Sequence, residues 1–303
     1  DLLTPLAGST AAAMSLGVNL VIILDCVMTF FGSTANDAAY NAWLTDRGDE
    51  TNRGRIEGYN SMMPLVSILV VFGGFMGFDL DKAESWTTIF LIIGGVVLLI
   101  GILGLWLIEE APDSNRSAAG NDSYWATVTY SFRPSVVRAN PMLYAVLGAF
   151  AVFGISIQVF MPYLIIYYEK SLGMTDYVLI FAPAIILAAV FTGLYGQVYD
   201  KKGFRTAIVL PMALLMVGYV LLYFFRATVP VFVGSVLMMC GFLGTGAILG
   251  AKVRTHTPEN RSGMFQGLRI VGQVLIPGVI GPYIGKLILR NAEMITNSDG
   301  TQS

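Results

Sequence analysis

An acid inside an apolar run is the first place where this chain offers chemistry. Asp25 sits in "VNLVIILDCVMTFF", residues 18–31. A carboxylate in hydrocarbon is costly, and such a residue is a functional candidate by default. At 100° per residue, Asp25, Thr29, Ser33, Asn36, Tyr40 and Trp43 fall within an arc of about 80° on one helix, with Asp37 beside it. A polar stripe on an apolar helix must face a bundle interior or a watery cavity. The plainer alternatives are a hydrogen-bonded seam between helices and, for Asp25, solvation near the outer headgroups. Asn36 and Asp37 follow Asp25 by about eleven residues, or roughly 16 Å along a helix. One ion therefore cannot touch both acids.

Three more groups suit a cavity. Gln266, Arg269 and Gln273 form a stripe near the end of the chain, and Gln158 lies in an earlier apolar run. Gln158, Gln273 and Tyr40 join Asp25 as candidates for contacting a solute. Arg269 is expected to snorkel to the headgroups. Tyr163, Tyr167 and Tyr168 are expected in an interfacial belt.

These residues need elements to hold them, and the composition says which. The chain has 303 residues, 55% of them hydrophobic and 13% charged, against roughly a quarter charged in a soluble protein. Mean hydropathy is +0.68. Such a chain uses lipid as its solvent. A net charge of −2 implies no nucleic-acid partner. Cys26 and Cys240 lie in apolar runs and read as packed free thiols. Apolar segments at about 14–43, 60–78, 86–108, 142–168, 177–199, 206–225, 229–251 and 264–289 each suit a ~30 Å hydrocarbon core. No sustained alternation points to a β-barrel. Glycines at 94, 95, 101, 104, 241, 244, 246 and 250 would let helices approach closely.

Thirteen of the eighteen Lys and Arg fall on one side of this arrangement and five on the other. The thirteen-residue side is therefore expected to be cytoplasmic. Residues 109–141, rich in Ser, Asn and Ala, read as a cytoplasmic linker between residues 1–108 and 142–303. The opening "DLLTPLAGST" and the polar close read as an internal piece of a longer protein.

Charge is avoided everywhere except in a few turns. "LTDRGDETNRGRIEG", residues 44–58, packs three arginines and four acids, and "THTPENRSGMFQG", residues 255–267, looks like a worn copy. Asn52-Arg53 and Asn260-Arg261 are separated by about 208 residues, as a parallel repeat of two bundles would arrange. A third turn, "GQVYDKKGFR", residues 196–205, resembles the G-x-x-x-D-[RK]-x-G-x-[RK] loop of the major facilitator superfamily. "RGRIEG" resembles that superfamily's R-[RG]-x-x-x-G loop. The resemblance covers essentially the whole chain. It implies an all-α membrane bundle, with these spans as helices four to eleven of twelve. It also implies a conformational latch at Arg53, Asp200, Gly203, Arg205 and Arg261.

Within that superfamily, "TANDAAYNAWLTD", residues 34–46, resembles the helix-four region of the glycoside–pentoside–hexuronide:cation symporters. The resemblance implies a sugar or glycoside as solute, H⁺ or Na⁺ as coupling ion, and Asn36 with Asp37 as the cation site. Asp25 is then left to line the outer route or meet solute hydroxyls. That family's acidic helix-ten pattern is replaced here by "LGAKVRTHTPE", and its helix-eleven Lys by a stretch with Arg269 and Gln273. Efflux antiport and a non-transporting sensor are the competing readings. An enzyme is not expected. His256 is the lone histidine, no phosphate-cradling Walker loop occurs, and the Tyr199-Asp200 pair lacks a G-x-G-D partner. No cofactor is expected, the solute, the coupling cation and the bilayer are the expected partners, and no obligate protein partner is evident. The expected location is the plasma membrane.

Overall fold

A computed structural model of the protein describes residues 10–34, 39–49, 51–75, 78–79, 82–108, 129–174, 177–258 and 262–290. Asn36, Asp37 and Arg261 lie outside the described residues, as does most of the expected linker. The described chain is helical throughout. Its principal helices are α1 (Thr10–Ser33), α2 (Asn41–Arg47), α3 (Arg53–Phe75), α4 (Ala83–Leu107), α5 (Pro141–Gln158), α6 (Tyr177–Ala207), α7 (Val209–Phe224), α8 (Thr228–His256), α9 (Ser262–Ile270) and α10 (Ile276–Leu289). Helices satisfy their own backbone groups, which is what a segment crossing hydrocarbon requires.

Among the described residues, six stretches are long and apolar enough to cross a membrane: Met14–Ser33, Glu84–Leu107, Pro141–Ser171, Ile180–Ala207, Thr228–His256 and Phe265–Leu289. The 23 residues of α3 reach roughly 34 Å at 1.5 Å per residue. The 16 residues of α7 reach roughly 24 Å. Large apolar side chains along α1 and α4 are exposed, as lipid-facing surfaces are. His256 ends α8 as its last residue rather than lying in a loop.

The core sits around α8. Its window is 61% buried, against 6% for α4. Small residues make this possible. A Cβ on Gly241 would lie 2.3 Å from the Leu215 backbone nitrogen, and one on Gly218 would lie 2.5 Å from that of Met238. So α7 and α8 cross backbone to backbone. Among the described residues nothing lies within 4 Å of a Cβ on Gly94, Gly95, Gly101 or Gly246, so the close approach expected at these glycines is not seen there. Tyr168 is also not in an interfacial belt. It is fully buried, and its hydroxyl is hydrogen-bonded to Ser235. Tyr163 rests against Gly285 of α10, and the Tyr167 hydroxyl donates to the Leu222 carbonyl. Cys240 is buried as expected, whereas Cys26 is exposed.

Candidate functional site

The charged turn at 44–58 is folded back into the protein in part: Thr45, Arg53 and Glu57 are buried, while Arg47, Asp49 and Arg55 are exposed. Asp49 accepts from the Thr51 amide at 2.8 Å and from its hydroxyl at 2.6 Å. That hydroxyl, and then the amide, hold the Asp49 carboxyl below its usual range. Asn52 Oδ1 accepts from the Asp49 amide, and the Asn52 carbonyl accepts from Ile56 as α3 begins. The first amides of a helix have no partner within it. Here Asp200 supplies one from another helix. Its two oxygens accept from Gly54 N at 2.6 Å and Arg55 N at 2.9 Å. A carboxylate at that end also meets the positive end of the α3 dipole.

Glycine makes the approach possible. A Cβ on Gly54 would lie 2.4 Å from the Gly196 carbonyl oxygen, and one on Gly196 would lie 2.2 Å from that of Gly54. One turn further, a Cβ on Gly58 would lie 2.8 Å from the Thr192 carbonyl. Gly54 and Gly58, four residues apart on α3, thus let it touch α6 backbone to backbone at Gly196 and Thr192. Beyond Asp200, Gly203 takes φ 73° and ψ 173°, a conformation that only glycine adopts readily. It turns the chain within the last residues of α6. Arg205 is exposed past that turn and takes no part in these contacts. Arg53 is buried at the head of α3.

One turn into α3, Glu57 is 4% exposed and sits between two arginines. Arg254, in the last turn of α8 and 1% exposed, donates through Nε to Glu57 Oε2. Arg269, in the last turn of α9, donates through Nη2 to Glu57 Oε1 at 2.9 Å. Arg254 Nη1 also reaches the Asn41 carbonyl at 2.9 Å and Thr45 Oγ1 at 2.8 Å, and its Nη2 reaches Asn41 Oδ1 at 2.7 Å. Arg269 Nη1 shares that Asn41 oxygen at 3.2 Å. Asn41 and Thr45, four apart, present one face of α2 to both guanidiniums. Gly250, a turn before Arg254, leaves the room that Glu57 fills: a Cβ there would lie 2.5 Å from Oε1. Five elements, α2, α3, α6, α8 and α9, are therefore tied together at the end where Arg47, Arg55, Lys201 and Lys202 are exposed. We call this the basic end.

Behind this seal lies a hollow of about 550 Å³, lined by Tyr40, Asn41, Asn60, Ser67, Arg269 and Gln273 among others. Gln273 lies in a π-helical turn, Val271–Leu275, between α9 and α10; such turns often mark functional sites. Its Oε1 accepts from Arg269 Nε at 3.0 Å. The stacked pair Tyr40 and Trp43, with ring centres 6.2 Å apart, stands beside it. A second hollow, of about 610 Å³, is lined by Asp25, Cys26, Thr29, Phe30, Ser33, Thr34 and Ile270. Ile270 lines both hollows.

Of the residues singled out in the sequence, Tyr40 and Gln273 share the first hollow. Asp25 lies in the second, on an exposed stretch of α1. Gln158 is in neither: it ends α5 against Gly281 of α10. Arg269 does not snorkel, because Glu57, Asn41 and Gln273 hold it inward. Glu57, Arg254, Asn41 and Thr45 were not foreseen as a site. The signals available were the one acid in "RGRIEG" and the Asn41/Thr45 spacing.

The model of the family described as Major Facilitator Superfamily matches residues 2–289 of the chain. No curated protein and no solved structure gives a match.

Proposed function

The chain belongs to the major facilitator superfamily, and we propose that, as a secondary transporter of that family, it carries a small polar solute by cation-coupled symport. The solute class is a sugar or glycoside, the cation H⁺ or Na⁺, and the basic end is cytoplasmic in the plasma membrane. The observation that supports this reading is the polar hollow lined by Tyr40, Asn60 and Gln273, closed at one end by the Glu57–Arg254–Arg269 cluster. A polar hollow sealed on one side by contacts that can break is what alternating access needs. Aromatic rings beside amide and hydroxyl groups suit a solute with both apolar faces and hydroxyls.

Uptake into proteoliposomes across a panel of sugars and glycosides, with and without H⁺ or Na⁺ gradients, tests it. Saturable, gradient-stimulated uptake of one of them is expected. Export of apolar compounds driven by a proton gradient, with no uptake, would replace symport by efflux. On this reading Asn36 and Asp37 hold the cation and Asp25 meets the solute. Asp37→Asn should then abolish ion-stimulated uptake and leave solute binding, while Asp25→Asn should weaken solute affinity. Ion stimulation that survives Asp37→Asn and disappears with Asp25→Asn would reverse these roles.

The turn at Asp200 makes a separate prediction. Asp200→Asn keeps one acceptor for Gly54 but removes the charge and sets an amide N–H₂ against the Arg55 amide. Hydrogen bonds to a charged group contribute about 1.5–3 kcal/mol each. Turnover should fall about tenfold or more, while solute Kd from the outer side changes less than about threefold. A variant that lost binding with an unchanged conformational rate would put Asp200 in the solute site.

A further inference from the structure

Arg269 belongs to two structures at once. Its Nη2 donates to Glu57 in the seal, and its Nε donates to Gln273 at the wall of the hollow. A guanidinium nitrogen only donates, so the Gln273 atom facing it is the carbonyl oxygen. The other end of that amide, Nε2, is buried and has no hydrogen-bond partner among the described residues, in a residue that lines the hollow. Nε and Nη2 also form one edge of the guanidinium fork, the edge that binds a carboxylate through two parallel hydrogen bonds. At present that edge is divided between two residues on different helices.

We propose that Arg269 is the positioning residue that ties occupancy of the hollow to the seal. In this proposal, which rests on the transport reading, a carboxylate of the solute arriving at Gln273 takes the Nε/Nη2 edge and draws Nη2 away from Glu57. Gln273 Nε2 donates to the same carboxylate. Glu57 keeps Arg254 but loses its second cation, and the contact between α3 and α9 is released. A neutral hydroxyl does this less well, because it brings no negative charge to replace that of Glu57 and one acceptor oxygen where a carboxylate presents two to the fork. The solute group that opens the basic end is thus an acid, whether on a sugar or on another small scaffold.

The test supplies the carboxylate from the protein and needs no solute. Spin labels at Arg47→Cys and Lys202→Cys, with Cys26 and Cys240 replaced by serine and alanine, report the width of the basic end in the full chain in lipid. Gln273→Glu should raise the ratio of wide to narrow distances roughly tenfold or more with nothing bound. Gln273→Leu should keep the narrow distribution. Arg269→Lys has a single point charge in place of the fork, and adding Gln273→Glu to it should change nothing further. Where Gln273→Glu does not accumulate in membranes, Gln273→Asp carries the same test. A Gln273→Glu distribution identical to that of the unsubstituted protein overturns the proposal. So does a Gln273→Leu distribution as wide as that of Gln273→Glu, which would make position 273 a packing site. Because no transport is measured, the two readings fail separately: widening in Gln273→Glu while the unsubstituted protein takes up nothing from the sugar panel would sink the sugar-symport reading and leave the link between Arg269 and the seal standing.

Discussion

Glu57→Ala should drive the basic end open. The substitution leaves two guanidiniums that cannot lose their protons, one of them Arg254 at 1% exposure. Removing one partner of a buried ion pair costs about 3–5 kcal/mol, mostly because the other charge stays buried. Arg254 keeps the Asn41 carbonyl, Asn41 Oδ1 and Thr45, so the lower end of that range applies. The protein has a way to avoid this cost: separation of α3 from α8 and α9 lets water reach both arginines. The loss therefore appears as a conformational shift of about a hundredfold, not as unfolding. Alkylation rates at Arg47→Cys or Lys202→Cys and the distance between spin labels there would both register it. Glu57→Asp, shorter by one methylene, should fall between. Glu57→Gln/Arg254→Gln should recover part of the closed form, because the more deeply buried cation is gone and only Arg269 is left without its carboxylate. A Glu57→Ala protein with unchanged alkylation would mean that the cluster does not hold the two sides together.

The same cluster shows why part of the molecule was legible in the sequence and part was not. The spans were readable because length and hydropathy act locally, and lipid enforces both. The stretch 53–59 read as loop because it carries Arg53, Arg55 and Glu57, yet α3 starts at Arg53. The Glu57 charge is satisfied by Arg254 and Arg269, about two hundred residues away, and no local window contains that fact. Arg254 and Arg269 fell among the thirteen cations of the expected cytoplasmic side for the same reason: the count weighs sign and side of the membrane, not burial. Asp200 and Gly196 were singled out because their turn has a fixed pattern of residue types. What that pattern omits is the partner, the amides of Gly54 and Arg55. The polar stripe of Asp25, Thr29 and Ser33 does line one hollow and Tyr40 the other, since helical periodicity fixes which residues share a face. Gln158 was placed by residue type alone, and its position against Gly281 follows from how α5 meets α10.

Gly196→Ala should separate α3 from α6 with a single methyl group. The added Cβ would lie 2.2 Å from the Gly54 carbonyl oxygen, 2.9 Å from its carbon and 3.2 Å from Arg55 Cα. All three are backbone atoms, so no side chain can swing aside. Restoring an ordinary contact needs about 1 Å of movement. The hydrogen bonds from Gly54 and Arg55 to Asp200, at 2.6 and 2.9 Å, stretch beyond useful length over that distance. The substitution thus combines overpacking, typically about 1–3 kcal/mol, with the loss of both hydrogen bonds to a charged group. The expected shift toward the open basic end exceeds that of Asp200→Asn by tenfold or more. Gly246→Ala is the control on α8. Nothing lies within 4 Å of its Cβ, and alanine is favoured over glycine in a helix by about 0.5–1 kcal/mol, so turnover should not change and thermal stability should rise slightly. If Gly196→Ala behaved like Gly246→Ala in spin-label distance and in turnover, the backbone crossing of α3 and α6 would not belong to the transport cycle. Turnover lost in Gly196→Ala with the narrow distance retained would instead mean that the two helices must slide past each other while closed.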